Sequence, residues 1–495
     1  MSKVTPKWLK KLKFRGKPLK RTSKIPNFIL QTELFPTLSG RSIRYIIFQS
    51  EELGQLRASL PIKELATLLP TPKSNAGSKP RFDNEGKIAL QFLKIYEDCG
   101  DDKLLARLNR DWGLQMFCGI QLKAGEKIKD PNLIWQTRKF VAEHLDIEKF
   151  QSVLIAHWKP DMKNTHVGMS DATCYESYIK YPRDVNLLWD CISWLNDAIR
   201  YYSKELKLNL PRNKFKEQKT KQLAYNKRRR KFKKLEKRRR RQLLYLLDKL
   251  LFQFDEVITY WQSQVQIGKA VGWLIPKEDL DKTLLIGKIY EQQRFYYENP
   301  GQSVPNRIVS LFKPFIRPII RGKENSSGGK RVEFGAKVNT WQVDGLNFIE
   351  HFSFSAFHEG VRLKQGIAFH HKHFGRLKQL GADAIYATNE NRRYVNKLGI
   401  STCFKPKGRR TIKPIIRQQE DLARKTIGTI RATVLEGSYG NDKNHYTLKK
   451  VKARTESTEI AWIFFGMMTA NAVKVAKRKM VKMKKVPPNK VAMAA

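Results

Sequence analysis

Apolar positions recur every three and four residues through residues 87–120, a spacing that predicts helices. A further helix is predicted over Pro131–Leu145, and together these segments predict a helical domain across Arg81–Glu148. Two interpretations of this domain stay open. It contains a helix-turn-helix-like DNA reader, or it is a plain helical bundle whose helices only pack.

Short apolar runs farther along predict strands. Phe150–Trp158 and His166–Met169 are two of them, and the second would deliver Asp171 into a turn just past its end. Ala382–Ala387 predicts a short buried strand that carries Asp383. The two carboxylates would therefore stand at or near strand ends, where side chains from separate strands can converge.

A long helical insertion is predicted between these two acids. Val185–Leu206 predicts an amphipathic helix. Lys214–Arg241 is the most basic stretch and contains only two acids, Glu217 and Glu236, before an apolar-faced stretch that begins at Leu243. We expect a long helix that is basic at one end and packed at the other. A charge run is often only a solvated face, but this excess predicts a surface that tracks phosphates. A nuclear-localisation signal is the alternative and would require a eukaryotic host.

The remaining pattern predicts a layered α/β fold. Asp344-Gly345 is a strong hairpin dipeptide between two predicted strands. Strand, helix and acid positions then alternate, which predicts an α/β layer with a helical domain inserted after its opening strands. The predicted strands are Glu333–Asp344 and Leu346–Phe354, and the predicted helices are Phe357–Leu380, Asn389–Leu398, Gln418–Leu435 and Ser457–Arg478.

Composition narrows the class of partner. The 495 residues include 96 Lys and Arg against 46 Asp and Glu, a net charge of +50, with 41% hydrophobic residues. Such an excess repels itself unless a polyanion or solvent compensates it, so nucleic acid is the expected partner and an anionic membrane the weaker alternative. No run of 18 apolar residues is present, and residues 1–21 lack the apolar core of a secretion signal. We therefore expect no membrane span and no secretion.

The five cysteines are scattered and odd in number, without CxxC spacing. This pattern indicates buried, reduced thiols in a cytosolic protein, with a zinc site as the minor alternative.

Cleaving or transferring a phosphodiester needs an activated oxygen nucleophile and a stabilised leaving oxygen, and two Mg²⁺ ions can supply both. Mg²⁺ prefers hard oxygen ligands, so a few carboxylates suffice.

Three acids could form such a site. Asp171 would bridge both ions, Asp383 would hold one, and Glu436, from a helix, would hold the other. Lys443, seven positions after Glu436, would lie on the same side if the helix continued for about two turns, and could grip a phosphate. Each acid alone is weak evidence, since an Asp at a strand end is more often a turn former or helix cap. Asp344 is a rival for the first acid, although its Asp-Gly context favours a turn.

Two other features invite functional interpretations that the pattern does not favour. On a helix, His370, His371 and His373 do not share one face well, so an exposed cluster is expected rather than a metal site. Trp341 could stack on a flipped base near a DNA end, but core packing is the expected role.

Several sequence blocks resemble those of bacterial DDE insertion-sequence transposases. SDATCYESYIKYPRDVNLLWD is similar to their first-Asp block, and EGSYGNDKNHYTLKKVKART to their Glu block, with six residues between the Glu and a Lys. One departure concerns the Tyr and Arg that often precede the Glu: Thr429 stands in place of the Tyr, and Arg431 is displaced by one residue. The blocks that carry the resemblance are Asp101–Ile120, Ser170–Asp190, Arg307–Val338, Asp383–Ile400 and Glu436–Thr455, within residues 80–475.

The resemblance implies a ribonuclease-H-like mixed sheet flanked by helices, and cut-and-paste DNA transposition. It also implies Mg²⁺ or Mn²⁺, two ions in all, held by Asp171, Asp383 and Glu436. The implied partners are double-stranded DNA, as inverted-repeat ends and as target, and a second copy of the chain at synapsis. We expect no membrane partner and a cytoplasmic, nucleoid-associated location.

The predicted organisation is a helical N-terminal domain and an α/β catalytic domain interrupted by a helical insertion. A non-catalytic DNA-binding protein derived from a transposase is the alternative, and a ribosomal-type RNA-binding protein explains the charge but not the matching blocks. The predicted boundaries are 1–80 for a basic arm and linker, 81–148 for the N-terminal domain, 149–184 and 305–478 for the catalytic domain, 185–304 for the insertion, and 479–495 for a basic tail.

Overall fold

The structure is a computed structural model that describes residues 40–71, 80–123, 125–181, 183–268, 275–324, 330–408 and 413–484. The predicted basic arm at residues 1–25, most of the predicted linker at 70–80 and most of the predicted tail lie outside these residues. The predicted domain boundaries stay a prediction. In the described part of the chain, every helix is too short or too polar to cross a lipid bilayer.

The first described part of the chain is entirely helical. Aspartates fix several helix starts, because their side chains accept hydrogen bonds from amides of the first turn. Asp83 accepts from the Gly86 amide and Asp146 from the Lys149 amide. The helices are α1 Gly40–Ser50, α2 Glu52–Ala58, α3 Ile62–Ala66, α4 Asn84–Tyr96, α5 Asp101–Leu108, α6 Trp112–Phe117, α7 Leu133–Glu143 and α8 Ile147–Trp158.

Helix α8 corrects the prediction of a strand over Phe150–Trp158, which is wrong. The run FQSVLIAHW is largely apolar and contains β-branched residues, so its composition suits a strand. Its buried residues Phe150, Leu154, Ile155 and Trp158 nevertheless follow helical spacing, and the Asp146 cap starts a helix ahead of them.

A mixed sheet of six strands forms the centre of the molecule. Strand β3 runs antiparallel to β1, β4 pairs with the other side of β3, and β5 and β6 extend the sheet parallel to β1. Helices surround this sheet, so the coarse prediction of an α/β fold is confirmed. The strands are β1 Val167–Glu176, β2 Pro318–Glu324, β3 Lys330–Val343, β4 Leu346–Ser353, β5 Gln379–Ala382 and β6 Ser401–Thr402.

The hairpin between β3 and β4 turns at Asp344 and Gly345, as the dipeptide predicts. Both residues have positive φ, 49° and 76°, the geometry of the tight hairpin turn that Asp-Gly favours. The Asp344 carboxylate accepts a hydrogen bond of 2.9 Å from Arg478 and one of 3.1 Å from the Lys163 amide. Asp344 is thus a turn residue with its own structural partners.

The chain leaves the sheet after β1 and forms a separate helical unit before it returns at β2. The unit comprises α9 Asp184–Glu205, α10 Phe215–Lys227, α11 Lys233–Gln266 and α12 Lys277–Glu298. Helix α11 is 34 residues long, with a basic start and an apolar face that packs against α9, as predicted. The basic stretch 214–241 is not one helix, however, because residues 228–232 separate α10 from α11.

The last elements pack the N-terminal helices and the sheet into one hydrophobic core, while the inserted helices have a core of their own. Helix α17 contacts both the N-terminal helices and β4. The predicted helix over Phe357–Leu380 is partly wrong, since it ends at Phe374 and Gln379 already begins β5. The last helices are α13 Leu363–Phe374, α14 Asn389–Lys397, α15 Pro414–Ile430, α16 Glu436–His445 and α17 Glu456–Lys484.

Candidate active site

Asp171 lies in the middle of β1, the strand between β3 and β5. The prediction that it follows a strand end is therefore wrong: β1 continues to Glu176 because it pairs with β3 as far as Gly335. The Asp171 side chain is 17% exposed, and its Oδ1 accepts a hydrogen bond of 2.8 Å from the Ala172 amide. A largely buried carboxylate in a central strand needs a cationic partner.

The protonation of Asp171 reflects this position. Its pKa is raised to about 6, chiefly because burial disfavours the charged carboxylate. Arg431 lowers the pKa but does not outweigh burial, and the charges of Glu359 and Asp383 raise it further. Glu359, which the sequence did not single out, is thus a fourth acid near this site, and it pairs with Lys337 at 2.8 Å.

Asp383 is placed beside Asp171 by the register of the sheet. Ala382, the last residue of β5, pairs with Ser170 in a parallel ladder, so Asp383 and Asp171 each follow a paired residue. Asp383 is exposed, and its Oδ1 accepts a hydrogen bond of 2.6 Å from the Ala384 amide. The prediction of a strand over Ala382–Ala387 is wrong, since a 3-10 turn, Ala384–Tyr386, begins directly after Asp383.

Glu436 begins α16, which follows α15 through a π-helical turn, Arg431–Leu435. The backbone amide of Glu436 donates to the carbonyl of Arg431, so five residues complete this turn. In a regular α-helix, residues five apart would face directions about 140° apart. In the π turn, Arg431 and Glu436 lie one above the other. The apparent one-residue displacement of Arg431 is thus compensated by the helix itself.

Arg431 connects two of the three predicted acids. Its Nη1 lies 3.1 Å from Oδ2 of Asp171, and its Nη2 lies 3.3 Å from Oε1 of Glu436. The Arg431 side chain is 17% exposed, like that of Asp171, whereas that of Glu436 is 55% exposed. One guanidinium therefore holds a carboxylate from the central strand and a carboxylate from the helix against each other.

Lys443 completes the set of predicted residues. Its predicted position requires that the helix continue for about two turns after Glu436, and helix α16 does continue to His445. The Lys443 ammonium donates a hydrogen bond of 3.1 Å to Oγ1 of Thr173, two residues beyond Asp171 on β1. The ammonium therefore lies about 7 Å along the strand from Asp171.

Buried polar side chains that the sequence did not single out fix α16 against the sheet. The Tyr439 hydroxyl donates a hydrogen bond of 2.9 Å to the backbone carbonyl of Asp171. Oδ2 of Asp442 accepts from the Tyr175 hydroxyl at 3.1 Å and from the Asn347 amide at 3.2 Å. Tyr439 and Asp442 follow Glu436 by three and six residues, a helical spacing that could have indicated one shared face.

Cations extend from this site along the surface. Side chains alternate between exposed and buried from Lys450 to Arg454, which places Lys450, Lys452 and Arg454 on one exposed side. A cleft of about 470 Å³ beside them is lined by Lys443 and by Lys94 of α4, among others. We call Lys443, Lys449, Lys450, Lys452 and Arg454 the basic track.

The inserted helices carry a second cationic surface. Arg239 is the buried member: it donates to the backbone and side chain of Gln218 and to Gln222, which holds α10 against α11. Most of its neighbours in the first turns of α11 are exposed. Cations in the first turns of a helix face the positive end of its dipole. An anionic partner is the natural compensation for this surface.

Other residues singled out in the sequence are structural. Trp341 is fully buried, and its Nε1 donates a hydrogen bond of 3.1 Å to Nδ1 of His370, which confirms core packing. The prediction that the three histidines are exposed is wrong for His370, which is fully buried. Burial and the charge of His371 lower the pKa of His370 to about 4. None of the five cysteines forms a disulfide, and three are buried.

The three acids fit a divalent metal ion in part. Among the described residues, no group of three or more His, Cys, Asp or Glu side chains is arranged to hold an ion. Asp171 and Glu436, however, already share one cation through Arg431. Their oxygens are the hard ligands that Mg²⁺ prefers, so the pair suits such an ion, with Asp383 next to it on the sheet.

Comparison with known protein families finds a match within the second half of the chain. The model of a protein family described as "Transposase DDE domain" matches residues 380–471. The matched segment contains Asp383, Arg431, Glu436 and Lys443, whereas Asp171 precedes it. No curated protein and no solved structure matches the chain. The match supports the prediction of a DDE transposase over this segment, and the matched family implies a DNA substrate.

Proposed function

We propose that this protein is a DDE transposase of the bacterial insertion-sequence type, which binds inverted-repeat DNA ends and moves them by cut-and-paste transposition. Asp171, Asp383 and Glu436 form its carboxylate triad, and Lys443 is its phosphate-binding lysine. The proposed cofactor is a pair of divalent ions, either Mg²⁺ or Mn²⁺. The protein acts in the cytoplasm on DNA of the nucleoid.

The observation that carries this proposal is the bridge that Arg431 makes between Asp171 and Glu436. These acids are 265 positions apart in the chain, yet one guanidinium reaches both. The parallel register of β1 and β5 adds Asp383 beside Asp171. Asp171 in β1, Asp383 directly after β5 and Glu436 on a helix are thus gathered near the middle of the sheet, as a shared metal site requires.

Each residue then has a chemical role. Asp171 would contact both ions, with Asp383 holding one and Glu436 the other. When bound, the ions would supply an activated oxygen nucleophile and a stabilised leaving oxygen for phosphodiester cleavage and strand transfer. Lys443, held by Thr173 near Asp171, orients a phosphate at the cut. Tyr439 fixes the distance between α16 and β1.

The charged surfaces supply the DNA-binding part of the proposal. The basic track begins at Lys443, so duplex DNA lying along it passes the triad. The basic start of α11 offers a second phosphate contact on the inserted unit. Both surfaces present ammonium and guanidinium groups that contact the DNA backbone and carry no sequence information by themselves.

The strand order supports a ribonuclease-H-like core. Strands β1, β3 and β4 lie side by side and antiparallel, and β5 and β6 add in parallel on the other side of β1. We also propose that two copies of the chain meet at synapsis, since two DNA ends are joined in one reaction.

The test uses the DNA that flanks the gene. A labelled duplex carrying the inverted repeat from that flank is incubated with the purified full chain and Mg²⁺ or Mn²⁺, and strand cleavage is followed on denaturing gels. Wild type is expected to cut at the repeat end. Asp171→Asn and Glu436→Gln should bind the duplex and leave it uncut, whereas Asp255→Asn, at an exposed acid on α11, should cut like wild type.

Two outcomes would overturn the proposal. Undiminished cleavage by Asp171→Asn would remove the triad assignment. Tight binding of the repeat duplex by wild type, without cleavage in either metal, would favour a non-catalytic DNA-binding protein. Competition between the repeat duplex and a structured RNA distinguishes a DNA-binding protein, catalytic or not, from an RNA-binding protein, which would prefer the RNA.

A further inference from the structure

Arg431 occupies the space between two proposed metal ligands. Its Nη1 and Nη2 lie 3.1 Å from Asp171 and 3.3 Å from Glu436, so its positive charge is where an ion shared by those carboxylates would be bound. Two cations cannot share that position without strong repulsion. We propose that Arg431 is an internal counter-ion that competes with the divalent metal and is displaced when the metal binds. This inference rests on the proposed function.

The local fold supports a displaceable role. Arg431 lies in a π turn, a helix irregularity that often marks functional sites. The turn aligns Arg431 with Glu436, which a regular helix with the same five-residue spacing would not do. The side chain of Glu436 is 55% exposed, so one side of the bridge opens to solvent. The guanidinium can therefore leave toward the surface without unpacking the core.

The electrostatics explain why a counter-ion is needed. Asp171 is largely buried in the central strand, with Asp383 and Glu359 close enough to affect its charge. Without a cation, these acids would repel one another and move apart. Arg431 therefore holds Asp171 and Glu436 together in the metal-free protein, and the same contacts oppose metal entry. It is a positioning residue that sets the metal affinity.

The test measures Mn²⁺ binding without DNA, by titration calorimetry and by the loss of the free-ion electron paramagnetic resonance signal. Arg431→Gln removes the competing charge and keeps a polar side chain, although a shorter one. It should bind Mn²⁺ roughly tenfold more tightly than wild type, as expected for a modest coupling free energy. Arg417→Gln is the matched control, because it removes an exposed charge from α15 away from the acids, and its Mn²⁺ affinity should equal that of wild type.

A purely structural role predicts the opposite sign. If Arg431 only braced the site, Arg431→Gln would separate the acids and bind Mn²⁺ more weakly than wild type, or equally. Either result would overturn the inference. Thermal unfolding adds a second readout: Arg431→Gln should unfold at a lower temperature in a chelator, and Mn²⁺ should raise its unfolding temperature more than that of wild type.

Further variants keep the result interpretable. If Arg431→Gln does not fold, Arg431→Lys replaces it. A lysine keeps the charge but lacks the planar fork that reaches two carboxylates, so Mn²⁺ affinity should lie above wild type, and an unchanged affinity would contradict the proposal. Asp171→Asn should lose Mn²⁺ binding. Tighter binding by Arg431→Gln without DNA cleavage by wild type would refute the transposase chemistry and leave the inference standing. If wild type cleaves DNA but Arg431→Gln binds Mn²⁺ with unchanged affinity, the transposase chemistry stands and the inference about Arg431 is refuted.

Discussion

The hydroxyl of Tyr439 donates a hydrogen bond of 2.9 Å to the backbone carbonyl of Asp171, which fixes the helix that carries Glu436 to the strand that carries Asp171. Tyr439 is largely buried, so this contact is shielded from water. The separation of the two proposed metal ligands therefore depends on a side chain that is itself neither acidic nor charged.

Replacing Tyr439 with Phe should loosen this contact without emptying the space that the ring fills. We expect a loss of about 1 kcal/mol in the free energy of unfolding, the usual cost of one hydrogen bond. DNA cleavage should fall on the order of tenfold or more, since small displacements of reacting groups slow chemistry steeply. Chemical denaturation and single-turnover cleavage measure the two effects. Tyr245→Phe, at an exposed tyrosine of α11, should leave both unchanged, and wild-type cleavage by Tyr439→Phe would contradict this role.

Lys443→Ala should separate cleavage from binding. Lys443 is one cation among many, so the affinity for duplex DNA should change little. It is also the cation bound to Thr173 close to Asp171, so cleavage at saturating DNA should fall by about a hundredfold. Lys425→Ala, at an exposed lysine of α15, is the control and should cut normally. Equal losses of affinity and rate would instead assign Lys443 to general DNA binding.

The basic start of α11 should govern the salt dependence of DNA binding. Changing Lys233, Lys234 and Arg238 together to Gln removes exposed charges and should lower the slope of log affinity against log salt by roughly 2–3. Thermal stability should hold or rise slightly, since these cations oppose the helix dipole. A control triple with the same charge change, Lys204→Gln, Lys249→Gln and Lys288→Gln, lies elsewhere on the inserted helices. An equal change of slope in both triples would mean that the basic start has no special contact with DNA.

Asp442 should make the folded protein less stable as pH rises through the weakly acidic range. Burial raises the pKa of its carboxyl to about 6, even though Lys474, Asn347 and Tyr175 act in the opposite direction. Between about pH 4 and 6 the folded protein thus binds more protons than the unfolded chain, and the free energy of unfolding falls with rising pH, by at most about 3 kcal/mol. Asp442→Asn should remove this part of the pH dependence.

The measurement compares free energies of unfolding of wild type and Asp442→Asn from pH 4 to pH 8. The difference between the two curves should change between about pH 4 and 6 and level off above that range. Asp255→Asn, at an exposed acid, should give a curve parallel to that of wild type. Parallel curves for wild type and Asp442→Asn would show that the Asp442 carboxyl titrates as it does in the unfolded chain.

Local chemistry explains which elements could be predicted from the sequence. The turn at Asp344-Gly345 needs only two residues that accept positive φ, and Lys443 needs only an uninterrupted helix after Glu436. The segment Phe150–Trp158 is wrongly predicted as a strand because short apolar runs suit either structure. There the deciding signal was the Asp146 cap, which lies before the run.

Contacts across the fold could not be predicted in the same way. Glu359 affects Asp171 from a different segment of the chain, and no spacing in the sequence connects them. The strand pairing that brings Asp383 beside Asp171 depends on register, which hydrophobic pattern alone leaves undefined here. Counting along the chain also placed Arg431 one residue out of position, because a π turn changes how many residues complete one turn of the helix.

That turn has a consequence for how chains of this kind should be compared. The π turn accommodates one additional residue between the arginine and the glutamate. The helices on both sides therefore keep their geometry, and the residues that follow the glutamate do not have to move. Two homologues could therefore differ in length at this point and still present the same groups to the same partner. Motifs defined by fixed spacing would separate such homologues, whereas superposition of their side chains would group them together.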